Sequence, residues 1–134
     1  VAVRTDLTIY RGDTYLSPWW VVVVDGAGVD LADPGSGWTV KAQARRGGTV
    51  VIDWGSTPGA TLVAQPWTGT VGTSTVETTA VRLYLTPAAT ALLEANRSLA
   101  FDIELSSPDG GPLDDAYRVT LIVGTISITK DVTE

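Results

Sequence analysis

Apolar residues recur at every second position through much of this chain, in short runs closed by glycine, proline or aspartate. The clearest run is Leu99, Phe101, Ile103 and Leu105, alternating with Ala100, Asp102, Glu104 and Ser106. Such a period of two marks a strand with one face buried. Trp38, Val40, Ala42 and Ala44 form a second run, with Lys41, Gln43 and Arg45 on the opposite face. Gly47-Gly48 then supplies a two-residue hairpin turn, and Val50, Ile52 and Trp54 mark the returning strand, so residues 38–54 predict a hairpin. Leu7 and Ile9 open an earlier strand, and Val81, Leu83 and Leu85 point inward from an extended stretch over 76–85.

Elsewhere the pattern is interrupted. Arg11-Gly12-Asp13 breaks the first strand and reads as a bulge, because glycine relieves backbone strain there. Residues 14–24 continue extended, with Pro18 placing them at an edge or a bend. Asp25-Gly26-Ala27-Gly28 is a turn, Val29-Asp30-Leu31 a short return, and 33–37 a loop. The stretch 55–74 reads as a long loop in which 61–67 is a strand weakened by Pro66. Val119, Leu121 and Val123 share a face, after which Ile126 and Ile128 carry the apolar side, and a bulge at Gly124 accounts for the change of parity. One helix is predicted over about 87–95, with Thr86 as N-cap, Pro87 at the first helical position, Leu92 and Leu93 facing the core and Asn96 closing it in a left-handed conformation.

These elements add up to an all-β protein, an Ig-like antiparallel β-sandwich of about 7–9 strands with one short connecting helix. At 134 residues the chain predicts a single domain, 1–134, long enough to bury roughly two-thirds of its unfolded surface. The residues at 1–10 and 125–134 are the expected edges or arms.

Composition narrows the chemistry. The chain has no Cys, no His and no Met. It thus lacks a thiol nucleophile, the commonest zinc ligand and the usual general base near neutral pH. Its serines have no histidine to activate them, and no Gly-rich phosphate loop occurs. The formal net charge of −6, with two Lys and seven Arg scattered, points away from nucleic acid. No apolar run approaches the ~20 residues that span a bilayer. The first residues lack a signal-peptide pattern, which predicts a chain made and assembled in a cytoplasm.

The remaining polar clusters have ordinary readings. Arg11-Gly12-Asp13 spells the tripeptide that integrins read, but lies between two strand segments. Asp25, Asp30 and Asp33, and likewise Asp109, Asp114 and Asp115, lack the spacing of a calcium loop and read as turn carboxylates. Asp102 and Glu104 share a strand face ~7 Å apart, a separation at which paired carboxylates can hydrolyse glycosides. A charged outer face is nonetheless the default for an antiparallel strand, with Arg82 and Arg118 as expected partners. No catalytic residue, cofactor or metal is therefore assigned, and the chain reads as a non-enzyme. Trp19-Trp20 is more telling, since neighbours in a strand point to opposite faces. One of the two must lie outside the core or beneath a neighbour. With Trp67 they are the candidate interface residues, tryptophan being enriched where proteins meet.

The order of motifs is also familiar: Arg11-Gly12-Asp13-Thr14, then Asp25-Gly26 and Val29-Asp30-Leu31, then Val40 to Arg45. After these come Leu85-Thr86-Pro87 with Thr90 and Leu93, Phe101 to Leu105, and Gly124 to Thr133. The series resembles the small Ig-like β-sandwich proteins encoded among the structural genes of tailed bacteriophages, including the N-terminal domain of phage baseplate upper proteins and minor tail proteins. The resemblance covers most of the chain. It implies a virion structural protein of the tail, baseplate or neck, assembled in the host cytoplasm as a homo-oligomer among other virion proteins. The alternative is a capsid decoration or host-surface adhesion module.

Overall fold

In the computed structural model the alternating run around Phe101 becomes the central strand of a sheet. The structure describes residues 3–24, 27–31, 38–106 and 118–130. They form two β-sheets packed as a sandwich, with one helix. In chain order the strands are β1 (Val3–Arg4), β2 (Leu7–Tyr10), β3 (Tyr15–Leu16), β4 (Trp20–Val24), β5 (Ala27–Gly28) and β6 (Thr39–Arg46). They continue as β7 (Thr49–Trp54), β8 (Ala60–Val71) and β9 (Ser74–Leu85), then helix α1 (Pro87–Ala91), β10 (Arg97–Ser106) and β11 (Arg118–Thr129).

The first sheet runs β1-β11-β10-β6-β7, with β2 also on β11. In the second, β9 pairs with β8 along one flank and with β3 and then β4 along the other, and β5 follows β4. Pairing is antiparallel except that β1 and β2 run parallel to β11. Leu99, Phe101, Ile103 and Leu105 are all buried, and with Ile9, Ile52, Leu83 and Ile126 they fill the space between the sheets. A smaller cluster of Val22, Val29, Val81 and Leu105 continues the core, and Trp20, Leu62 and Leu121 pack against both.

The predicted hairpin is present as β6 and β7, turned by Gly47 (φ 57°) and Gly48 (φ 88°). Ile52 and Trp54 are buried, but Val50 is 44 % exposed, because a register shift between Ala44 and Arg45 lifts the end of the ladder out of phase.

Several expectations are corrected. Arg11-Gly12-Asp13 is a turn joining the two sheets, not a bulge within one: Gly12 has φ 83° and Asp13 N–H closes onto Tyr10 O at 3.2 Å. Helix α1 holds this turn. The buried Thr90 hydroxyl accepts from Gly12 N–H (3.0 Å) and donates to Asp13 O (2.8 Å), while Arg11 donates to Ala91 O (3.0 Å). The helix is shorter than predicted, ending at Ala91. Its cap at Thr86 and the left-handed Asn96 (φ 61°) are as predicted, but Leu93 is buried while Leu92 is 86 % exposed. The residues between are used to turn the chain, so that Asn96 N–H can reach Ile128 O (2.7 Å) at the start of β10.

The stretch read as a long loop is mostly β8, twelve residues paired with β9 throughout. Pro66 does not prevent this, because an edge strand tolerates a missing ladder donor. The bulge placed at Gly124 lies instead at Leu121. Ile103 pairs with Ile122 and Glu104 with Thr120, leaving Leu121 as the extra residue. From there Ile122, Gly124, Ile126 and Ile128 are all buried, with no change of parity at Gly124, whereas Val123 is on the opposite face beside Asp102. Glycine at 124 serves a close approach: a Cβ there would lie 1.7 Å from Thr5 O. That crossing is where β1 gives way to β2, pinned by Thr5 N–H to Val123 O (2.9 Å) and Thr125 N–H to Asp6 Oδ1 (3.1 Å). Consequently 125–129 is not an edge. β11 lies between β10 and the two N-terminal strands.

Candidate functional site

Pro18 decides where the tryptophans go. Leu16 pairs with Tyr84 and Trp20 with Val81, so the strand made of β3 and β4 carries one residue more than β9 across residues 17–19. Ser17 repairs the ladder there. Its N–H donates to Leu83 O (3.0 Å) and its buried hydroxyl accepts from Leu83 N–H (2.8 Å). Beyond this bulge, Trp20 points inward against both core clusters. Trp19 points outward, where Arg82 lays its guanidinium over the indole, 4.7 Å from the ring centroid, and donates from Nε to Ser17 O (3.0 Å).

The pairing register then sets out the outer face along β9 and its partners in β3, β4 and β8. Leu16, Tyr84 and Thr61 form one row; Trp19, Arg82 and Val63 the next; Val21, Ala80 and Gln65 a third. Thr78 with Trp67 and Val76 with Gly69 continue the series, Ala80, Thr78 and Val76 being buried beneath their neighbours. Trp67 folds along its own strand, its ring lying where a side chain on Gly69 would be. Leu16 is 51 % exposed and Val21 39 %. Arg82 is the one charged residue in these rows, and Trp19 and the Ser17 carbonyl already engage it.

The outer face of the first sheet is more polar, with Val50 beside Arg45 as an exposed apolar residue. Asp53, Gln43 and Asp102 share a row, with Lys41 beside Glu104 and Arg45 beside Ala100. Arg45 pairs with Asp102 at 3.4 Å, Gln43 donates to Asp53 at 2.9 Å, and Arg45 also donates to Gln43. The partner of Asp102 is thus Arg45 from β6, not Arg82, which belongs to the other sheet. The Arg118 side chain lies outside the described residues. Asp102 and Glu104 sit in a ladder of alternating charge, which water solvates well, and Glu104 borders a shallow, open groove of about 480 Å³ with Lys41 and Asp53.

The other sequence candidates resolve as follows. Asp30 is exposed just beyond β5, while Asp25, Asp33, Asp109, Asp114 and Asp115 lie outside the described residues. Among the described residues no three acidic side chains come together as a metal site, and no helix is long and apolar enough to cross a membrane. Burial pushes the Tyr15 phenol up to about 12, as expected of a tyrosine packed against the core. A shallow groove of about 360 Å³ runs beside Trp67, bordered by Gly28, Asp30, Thr68 and Glu77. Its floor is fixed where Thr78 accepts from Val29 N–H (2.9 Å) and donates to Val22 O.

Of the candidates Trp19, Trp20 and Trp67, the structure puts Trp19 and Trp67 on this outer face and Trp20 against the core, and Leu16, Val21, Val63 and Tyr84, which the sequence did not single out, share the face. Only the one-residue bulge at Pro18 brings Leu16 and Val21 to the same side, and the strand pairing that reveals it is not local. Compared with known proteins, the chain matches no family model, no curated protein and no solved structure.

Proposed function

We propose that this chain is a non-enzymatic structural component of a tailed-phage virion, an adaptor of the tail, baseplate or neck that assembles through protein–protein contacts. The observation that carries the reading is the apolar outer face of the second sheet, where Leu16, Trp19, Val21 and Trp67 lie around Arg82, with Asp30 and Glu77 at the rim beside Trp67. Covering apolar area contributes roughly 25 cal/mol per Å² before the costs of association are met. Large contiguous patches of this kind mark interaction sites on soluble domains. The order of sequence motifs supplies the virion setting. An antibody raised against the chain tests it: under this reading it decorates the tail or neck of banded particles, whereas antigen confined to the unassembled lysate contradicts it.

Capsid decoration or host-surface adhesion is the second reading, favoured by one feature. Trp67 borders a groove with Asp30 and Glu77 on its rim, and an indole beside carboxylates suits a sugar ring. Adhesion requires that soluble glycans change the tryptophan fluorescence of the protein, and that Trp67→Phe abolish the change.

A further inference from the structure

We draw no further inference here: the strongest candidate, the open cleft between β6–β7 and β8 lined by Leu31, Val40, Trp54 and Leu62, borders a Trp54 indole N–H that has no acceptor but is itself closed to solvent, so the cleft is an apolar surface and nothing in the structure shows what covers it.

Discussion

Thr90 belongs to a helix of only five residues, yet its hydroxyl ties that helix to the turn at 11–13. It accepts from Gly12 N–H, donates to Asp13 O and lies near Pro87 O (3.1 Å), with its own side chain fully buried. A helix this short has little stability of its own, so its contacts with the turn at 11–13 matter to both. Thr90→Val keeps the shape and removes the hydrogen bonds. We expect a loss of about 1–2 kcal/mol, at the lower part of the range for unpaired polar groups because water reaches Gly12, measured by urea unfolding. The integrin-like tripeptide is therefore bound up in the fold: Arg11 is spent on Ala91 O, and the Gly12 and Asp13 backbones on Thr90.

At the scale of elements, the instructive features are the places where strands fall out of phase. The run from Leu99 to Leu105 was legible because every second residue is apolar and its partners keep step on both sides. The run from 118 to 128 was not, since its apolar positions change parity once, and in the sequence Gly124 is as good a candidate for the change as Leu121, where the bulge lies. A bulge is defined by the opposite strand, here by Ile103 and Glu104, and that strand is remote in sequence. Gly124 has a different task, to let the Thr5 carbonyl cross. Gly124→Ala would drive a methyl into backbone, and it should cost about 1–3 kcal/mol, the usual range for overpacking. The thermal melting point checks this, and so does amide exchange. Exchange should quicken at Thr5 and Thr125, whose N–H groups bond at this crossing, before it quickens in β10. Likewise β8 was half hidden by Pro66, which is disqualifying in a central strand and tolerable at an edge. Which strand is an edge is a property of the sheet, not of the segment.

For the whole molecule, the two outer faces differ in kind. One is a ladder of Lys41, Arg45, Asp53, Asp102 and Glu104, which water solvates, with Val50 beside Arg45; the other exposes Leu16 and Val21 beside two half-buried tryptophans and an already engaged Arg82. The sequence showed that Trp19 and Trp20 must diverge, but the inward one could be named only once the bulge at Pro18 was located. Maleimide labelling of single cysteines, compared between the free chain at low concentration and the assembled particle, tests the apolar face most directly. Val21→Cys on the second sheet should react readily in the free chain and be protected in the assembly, while Ser98→Cys on the first sheet reacts equally in both. Equal reactivity of Val21→Cys in the two states would contradict the account.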